Sequence, residues 1–319
     1  MKGPLVSIII PNYNHSPYLK QRIDSVLEQL FQDFELIILD DCSTDDSRSI
    51  IDKYSSSNKI SQIIFNEYNS GSTFLQWKKG FFLAKGKYIW IAESDDYADT
   101  SFLEKLVPLL EDNPDCNIAF SESYAIDEYN NILPDDWDRN KGLKSSVSEF
   151  DGKAFVRARM LFNNSIYNAS MALFRKAALT YIDDRFMDFK YCGDWYFWNK
   201  VCFQGSVIRY NEKLNYFRQH AQKVTPKAEA EGKRFIEGKY VIEDMVEVLN
   251  LTPIQKKVIV GRLMKYIVSF KHFKTRELKN DIIEDVAGYL GYGRSSIFIY
   301  ELDKILNFSR LDIKKSRYL

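Results

Sequence analysis

Apolar runs alternate with amphipathic stretches through the first hundred residues. Short apolar runs at residues 6–10, 35–39, 60–65 and 88–92 predict four buried strands. Between them, apolar residues recur at spacings of three and four, as on one face of a helix. The clearest stripe consists of Leu19, Ile23, Val26, Leu27 and Leu30. Strand–helix repeats of this length indicate an α/β fold, with a mostly parallel central sheet and helices on both faces.

The pattern is less regular after residue 100. Helices are predicted over 102–110, 155–162 and 195–203, strands over 117–122, 170–174, 207–210 and 214–218, and a long polar loop over 127–149. After Pro226 the pattern is helical to the end, with a break over 288–293. We therefore expect a sheet domain over residues 1–225 and a helical C-terminal extension over 226–319.

Charge divides the chain differently from hydrophobicity. The 44 basic and 44 acidic residues cancel, so no overall field favours nucleic acid as a partner. Residues 253–319 nevertheless carry 14 Lys/Arg against 7 Asp/Glu. Cations and aromatics mix there, at Lys265, Tyr266, Phe270, Lys271, Phe273 and Lys274. This tail has three interpretations: peripheral contact with an anionic membrane, a homodimer contact, or a solvated helix face over a buried seam.

The cysteines and the lengths of the apolar runs indicate the cellular compartment in which the protein is expected. Four cysteines without metal-site spacing are too sparse for a disulfide scaffold, which favours a reducing cytoplasm. No run reaches about 18 apolar residues, and no signal peptide precedes the first strand. We expect a cytoplasmic protein, with the inner face of the cell membrane as its one alternative position.

Polar residues follow each of the four predicted strands. In an open parallel sheet, ligands bind outside the carboxyl ends of the strands. These ends would form a rim of roughly 10–15 Å, about the span of a nucleoside diphosphate. No glycine-rich phosphate loop is present, so positive charge must come from elsewhere. Paired carboxylates such as Asp95–Asp96 suit Mg²⁺ or Mn²⁺, which would fill its shell with phosphate oxygens.

Four motifs in order resemble one known family. They are Val6–Asn14, Leu39–Asp45, Ala84–Ile89 and Glu93–Asp96, and together they resemble the family 2 glycosyltransferases of GT-A fold. The resemblance covers residues 5–100 strongly and extends weakly, through Gly193–Trp195 and Tyr216–His220, to about residue 225. It divides the domain into a nucleotide-binding half (1–100) and an acceptor half (101–225).

The resemblance implies roles for matching residues. Tyr13 would pack near the nucleobase, Asp41 would accept from the uracil N3–H, and Asp40 would shape the same turn. Asp96 would bind the metal directly and Asp95 would contact the ribose or donor sugar. The remaining assignments are Asp194 as catalytic base, His220 near the diphosphate or metal, and Pro11, Asn69, Gly71 and Lys78 in the nucleotide-sugar site.

The chain departs from the family pattern at two places. Cys42 occupies a position where glycine is usual, so the turn after the second strand is expected to differ in shape. An Arg-Asn pair before the third helix is absent, and Lys78 or Lys79 would serve the diphosphate instead.

The implied function is transfer of a sugar from a nucleotide-diphospho-sugar, with UDP as the favoured carrier, to an acceptor hydroxyl with inversion. The acceptor would be a polysaccharide, a lipid-linked oligosaccharide or a protein. Two alternatives stay open: a non-catalytic nucleotide-sugar or carbohydrate-binding module, and a nucleotide-sugar hydrolase. Asp40, Asp41 and Asp194 also have a structural interpretation as helix caps, and only their joint occurrence with the other strand-end groups favours catalysis.

Overall fold

A computed structural model describes residues 3–134, 146–161, 163–220 and 228–311. Its first part is a parallel sheet formed by β1 (Val6–Asn12), β2 (Phe34–Asp40), β3 (Ile60–Phe65) and β4 (Tyr88–Ile91), in the order β3-β2-β1-β4. The connecting helices are α1 (Ser16–Leu27), α2 (Ser47–Asp52) and α3 (Thr73–Leu83). Every residue of β1 and β2 is buried, because both faces of the sheet are covered.

The second part extends this sheet with mixed pairing. Its elements are β5 (Tyr97–Ala98), α4 (Phe102–Glu111), β6 (Cys116–Ile126), β7 (Val147–Asp151), α5 (Gly152–Phe155), β8 (Ala172–Arg175), α6 (Gly193–Phe203) and β9 (Ser206–Arg218). From β4 the order continues β8-β6-β9-β5, and β7 pairs with β9. Strand β8 runs antiparallel to both neighbours, whereas β6 and β9 are parallel. The predicted fold class, an α/β sheet with flanking helices and a helical C-terminal region, is confirmed.

Three predicted boundaries differ from the structure. The strands predicted over 207–210 and 214–218 are one strand, β9, which pairs with β6 on both sides of an irregularity at residues 211–212, where the register shifts. The polar stretch predicted as a loop contains β7, and residues 135–145 of that stretch lie outside the described residues. The break predicted over 288–293 begins only at Gly291, whose φ of +78° ends the preceding helix.

Pro11 is predicted to stop the first strand, but β1 continues through it to Asn12. The carbonyl of Ile9 accepts from Ala92, on the β4 side, whereas the carbonyl of Asn12 accepts from Asp41, on the β2 side. The backbone polar groups of successive strand residues point to opposite neighbouring strands, so the nitrogen of Pro11 points towards β4. Strand β4 has already ended at Ile91. A missing N–H costs nothing there, so proline is tolerated in a central strand.

The described residues after the sheet include the helices α7 (Lys233–Val248), α8 (Pro253–Ser269), α9 (Arg276–Leu290) and α10 (Ser296–Leu306). Val241, Ile242 and Val258 are buried in the same apolar cluster as α3 and α6, while a separate cluster joins α7, α8 and α9. The extension is thus packed on the face of the sheet domain that carries α6. Among the described residues, no helix is both long and apolar enough to cross a membrane.

Candidate active site

Hydrogen bonds connect the carboxyl ends of the four parallel strands. Asn12 donates to the Asp40 carboxylate at 2.7 Å, which joins the ends of β1 and β2. Asn66, directly after β3, donates to Asp41 at 2.7 Å. His15 Nδ1 lies 2.8 Å from Ser94 Oγ, which brings the loop after β1 to the loop after β4. The strand-end residues therefore form one continuous rim.

The Asp41 carboxylate organises the loop before α3. Its oxygens accept from the backbone N–H of Ser70 at 2.9 and 3.1 Å, from the Ser70 hydroxyl at 2.7 Å and from Gln76 at 2.9 Å. Asn69 donates to the Asp41 carbonyl at 3.0 Å and accepts from the N–H of Gly71. Asp41, Asn69 and Gly71, all predicted nucleotide-sugar ligands, are thus brought together. Their contact with a base stays a prediction.

Asp40 and Tyr13 have contrasting surroundings. Asp40 is buried and accepts from the Ser43 backbone N–H and hydroxyl as well as from Asn12, so it shapes the turn as expected. The Tyr13 ring is 46% exposed and is available to a ligand. Cys42, between Asp40 and Ser43, has a φ of +62°, the left-handed conformation that glycine adopts readily. The turn was expected to differ in shape, but Cys42 adopts the backbone conformation that glycine permits.

The two aspartates after β4 have different partners. Asp96 is buried and accepts from three protein donors: the Arg218 backbone N–H at 2.9 Å, Asn168 at 2.8 Å and Ser170 at 2.8 Å. Asp95 lies 3.1 Å from His220 Nε2. In the part of the chain that the structure describes, the group able to hold a metal ion is His15, Asp95 and His220, whose ligand atoms lie within 4.8 Å of one another.

Buried charge shifts the pKa values of this acidic motif. Burial, reinforced by the charge of Asp95, raises the pKa of Asp96 to about 6 and that of Glu93 to about 8. Burial also acts on Asp95, but its hydrogen bond with His220 and the charges of both histidines hold the pKa of Asp95 below its usual value. Asp95 is the carboxylate of this motif that lies beside both imidazoles, within the group able to hold a metal ion.

Two buried arginines lie against the acidic motif. Arg22 donates to the Glu93 carbonyl at 2.8 Å, and its own pKa is lowered to about 10 by burial. Arg218 donates to the carbonyls of Asp95 and Asp127, while its backbone N–H binds Asp96. These guanidinium groups offset the clustered negative charge and fix the loop after β4 to the end of β9.

Asp194, the predicted catalytic base, lies in the first turn of α6. It accepts from Asn164 Nδ2 at 2.9 Å and from the Trp195 backbone N–H at 2.7 Å. Burial raises its pKa to about 6, although the Trp195 N–H and the charge of Arg234 act in the opposite direction. A carboxylate with such a pKa is ionised at neutral pH and is basic enough to take a proton.

Helix α7 holds the turn that carries Asp194. The Glu237 carboxylate accepts from three consecutive backbone N–H groups, those of Lys190, Tyr191 and Cys192, at 2.9, 2.7 and 2.9 Å. The Cys192 N–H belongs to the start of α6, where a carboxylate is favourable, and the other two precede the helix. Glu237 therefore caps the turn that enters α6 from the helical extension, 43 residues away in sequence from Asp194.

The two candidate lysines point to different places. Lys78 forms an exposed ion pair with Asp184 at 2.5 Å, near the start of α6. Lys79 donates to Asn66 Oδ1 at 2.6 Å and so lies at the strand-end rim. The assignment of Lys78 to the diphosphate stays a prediction, and the contacts favour Lys79.

An open cleft of about 530 Å³ adjoins His220. Its other lining residues include Asn14, Tyr18, Thr44 and Asp45.

Comparison with known proteins now decides the family. The profile described as "Glycosyl transferase family 2" matches residues 7–182, more than half of the chain. The chain belongs to glycosyltransferase family 2. An uncharacterised glycosyltransferase of Haemophilus influenzae is 30% identical over 229 residues, which are 70% of this chain and 68% of the relative. A Bacillus subtilis protein, provisionally named the teichuronic acid biosynthesis glycosyltransferase TuaG, is 35% identical over 37% of this chain and 46% of its own length.

Solved structures of similar fold extend over the helical region. S. aureus TarS 1–349 in complex with UDP-GlcNAc matches with a TM-score of 0.69 at 19% identity, covering 98% of this chain and 89% of that one. The mannosyltransferase PcManGT from Pyrobaculum calidifontis, in complex with GDP-Man and Mn²⁺, matches with a TM-score of 0.52 at 12% identity. At these identities the likeness shows the fold, and it confirms the GT-A architecture for this family 2 chain.

Sequence reasoning missed three residues of this family 2 site. His15 follows Asn14 in the first motif, and only the fold brings it to Asp95 and His220. Arg218 lies inside a quoted motif but received no role. Glu237 lies in an amphipathic helix, where a glutamate is ordinarily a solvated residue. The motif gave a signal for Arg218 alone, whereas nothing local in the sequence distinguishes His15 or Glu237.

Proposed function

We propose that this glycosyltransferase moves a sugar from a nucleotide-diphospho-sugar to an acceptor hydroxyl with inversion. One observation carries the proposal: a single segment contacts both halves of the site. Asn164 donates to Asp194, and Asn168 and Ser170 donate to Asp96. Asn164 and Asn168 are four residues apart, which is at most about 14 Å of chain. The base and the acidic motif are therefore close enough for one bound sugar donor and its acceptor to reach both.

The proposed reaction is one displacement. The acceptor hydroxyl oxygen bonds to the anomeric carbon as Asp194 takes its proton, and the bond from that carbon to the diphosphate oxygen breaks. The nucleoside diphosphate leaves with the electron pair, so charge is balanced. Because attack comes from the side opposite the leaving group, an α-linked donor gives a β-linked product.

The residues after β4 fit a divalent cation, Mn²⁺ or Mg²⁺. We propose His15, Asp95 and His220 as its protein ligands, with Asp96 orienting the loop through its three protein donors. Two imidazoles and one carboxylate favour Mn²⁺, because Mg²⁺ prefers oxygen ligands. When bound, such a cation neutralises charge on the leaving diphosphate. The prediction that Asp96 binds directly is kept as the competing arrangement in the experiment below.

The donor and acceptor classes rest on the relatives. TarS binds UDP and UDP-GlcNAc, which supports UDP as the carrier of a hexosyl or N-acetylhexosaminyl unit. The name of TuaG supports a saccharide acceptor in cell-surface polysaccharide or glycolipid synthesis. A binding module needs no base, so it is less consistent with an Asp194 whose preceding turn is held by Glu237. A hydrolase would use the same base to activate water, and product analysis separates it from transfer.

The thiols and one exposed surface support our proposal for the location of the protein in the cell. Cys42, Cys116, Cys192 and Cys202 are free, which supports a reducing cytoplasm. Phe270 and Phe273, which one of the three interpretations of the tail places at a membrane, pack on Phe235, with ring centroids 5.6 and 5.3 Å away. An exposed apolar stripe remains on α10, formed by Phe298, Ile305 and Leu306. We propose that stripe for peripheral contact at the inner face of the membrane, with a homodimer as the alternative that light scattering would reveal.

A thermal-shift panel tests the donor site. UDP, GDP, CDP, ADP and dTDP would each be added with and without Mn²⁺, since a ligand of the native state raises the unfolding temperature. We expect UDP with Mn²⁺ to stabilise most. Asp95→Asn should remove the additional stabilisation by Mn²⁺. Asp96→Asn should lower the unfolding temperature of the protein but leave the additional stabilisation by Mn²⁺ intact. The reverse pattern would restore Asp96 as the ligand, and stabilisation by none of the nucleotides would contradict the donor site.

Product analysis with and without a saccharide acceptor separates transfer from hydrolysis. Release of free sugar at the same rate in both samples would favour the hydrolase.

A further inference from the structure

The His15 imidazole is held at one of its two nitrogens. Its Nδ1 lies 2.8 Å from the hydroxyl oxygen of Ser94, which is a buried residue. The backbone of His15 is held separately, because its carbonyl accepts from the N–H groups of Tyr18 and Leu19 in the first turn of α1, both at 3.0 Å. Helix α1 thus sets the position of the residue, and Ser94 sets the direction of its ring.

Ser94 lies in a loop whose backbone is fixed on either side of it. The carbonyl of Glu93 accepts from Arg22 Nε at 2.8 Å, and the carbonyl of Asp95 accepts from Arg218 Nε at 2.7 Å. Both arginines are buried, so these two bonds are shielded from water. The Ser94 hydroxyl is therefore presented to His15 from a rigid part of the site.

The bond to Ser94 determines which nitrogen of His15 a cation could use. When a histidine binds a metal ion through one nitrogen, the N–H of the other usually donates to a neighbouring acceptor, which fixes the tautomer and the ring orientation. The Ser94 oxygen can accept from Nδ1–H, which leaves the lone pair of Nε2 to a cation. In the same group, His220 Nε2 lies 3.1 Å from the Asp95 carboxylate.

Ser94 also distinguishes the two orientations of the His15 ring. Rotation of an imidazole by 180° about its bond to Cβ exchanges a nitrogen for a carbon at both positions while the shape of the ring stays nearly the same. The neighbouring rings of Tyr18 and His220, with centroids 6.4 and 5.9 Å away, limit the space but cannot tell nitrogen from carbon by shape. The hydrogen bond to Ser94 can, because only a nitrogen forms it.

We propose that Ser94 is a positioning residue for the cation site: its hydroxyl oxygen accepts from Nδ1–H of His15 and so directs Nε2 to the cation. The inference rests on the proposed binding of Mn²⁺ by His15, Asp95 and His220, and it adds a residue that does not touch the cation. Ser94→Ala keeps all three ligands, so it isolates the contribution of ring orientation.

Mn²⁺ affinity of the full chain gives the first test. Free Mn²⁺ is measured by electron paramagnetic resonance while the metal alone is added to the protein. We expect Ser94→Ala to weaken binding about tenfold, as the loss of a partner behind a metal ligand ordinarily does. The control is Ser121→Ala, which removes a hydroxyl from another buried serine, in β6, and should leave the affinity unchanged. Wild-type affinity in Ser94→Ala, or an equal loss in both variants, would overturn the proposal.

The tautomer of His15 gives a second test that needs no metal. The chain has 3 histidines, so long-range ¹H–¹⁵N NMR resolves few imidazole signals, and those of His15 are the ones absent from His15→Gln. At about pH 8, where an ordinary imidazole is neutral, we expect the proton on Nδ1 in the wild type and a mixture of tautomers in Ser94→Ala.

The two tests separate this inference from the function on which it rests. If the wild type binds no Mn²⁺, the proposed cation site fails, whatever the tautomer. If the wild type binds Mn²⁺ but carries the His15 proton on Nε2, or if Ser94→Ala leaves the tautomer unchanged, the role of Ser94 fails and the cation site stands.

Discussion

The donor end and the acceptor end of the candidate site are built in different ways. The donor end, the rim after β1–β4, is formed by residues that follow strands and bind one another in a dense polar network. The acceptor end, Asp194 with its surroundings, is formed by helices far apart in sequence. The comparison indicates that the proposed donor end depends on residues that follow the strands directly, whereas the proposed acceptor end depends on contacts between helices that are distant in sequence.

The largest effect should come from the acceptor end. Asp194→Asn removes the proton acceptor but keeps the shape, so turnover should fall by about 10²- to 10⁴-fold. Stabilisation by UDP and Mn²⁺ should stay normal, because the donor end is built from other residues. The control is Asp188→Asn, an exposed acid six residues earlier. Near-normal turnover of Asp194→Asn, measured with purified product, would mean that another group is the base.

A smaller loss should follow when the support of the base is weakened. Glu237→Gln lacks the second carboxylate oxygen, which accepts from Tyr191 and Cys192. We expect kcat to fall about tenfold through misplacement of Asp194, with UDP binding unchanged. Glu247→Gln, an exposed position on the same helix, is the matched control. If both variants lose activity equally, the effect is a general loss of stability and the cap has no specific role.

The pH profile reports the environment of the base. Burial raises the pKa of Asp194 to about 6, and the base acts only when deprotonated. The value of kcat/KM should therefore rise with pH to a plateau, with its midpoint near pH 6, whereas an ordinary aspartate would give a midpoint near 3.9. Arg234 lowers this pKa, so Arg234→Gln should move the midpoint upward. A downward shift would contradict the electrostatic assignment.

The smallest effect belongs to the donor end. Cys42 has a left-handed backbone, which costs a non-glycine residue roughly 1–2 kcal/mol. Cys42→Gly should therefore raise the free energy of unfolding by about 0.5 kcal/mol, after the greater freedom of glycine in the unfolded chain is subtracted. Denaturant titration measures the change. Cys42→Ala removes the thiol but not the strain, so a similar gain in that variant would contradict the explanation.

The sequence predicted the donor end better than the acceptor end for a physical reason. Strands such as β1 and β2 are buried on both faces, so they are visible as continuous apolar runs, and Asp40 and Asp41 follow directly. Strand β9 continues across residues 211–212 because it pairs with β6 on both sides of a register shift, which no local pattern reports. Glu237 and Arg234 approach Asp194 only through helix packing, and a contact of that kind leaves no periodic signal.

The cap that Glu237 places on α6 also limits how this enzyme can be recombined with its relatives. A chimera that exchanges only the sheet domain would join a new α6 to an old α7, and the three N–H groups at residues 190–192 would lose their acceptor. Helices α6 and α7 therefore form one transferable unit, even though they lie on opposite sides of the domain boundary predicted near residue 225. Any grafting of acceptor specificity should move them together.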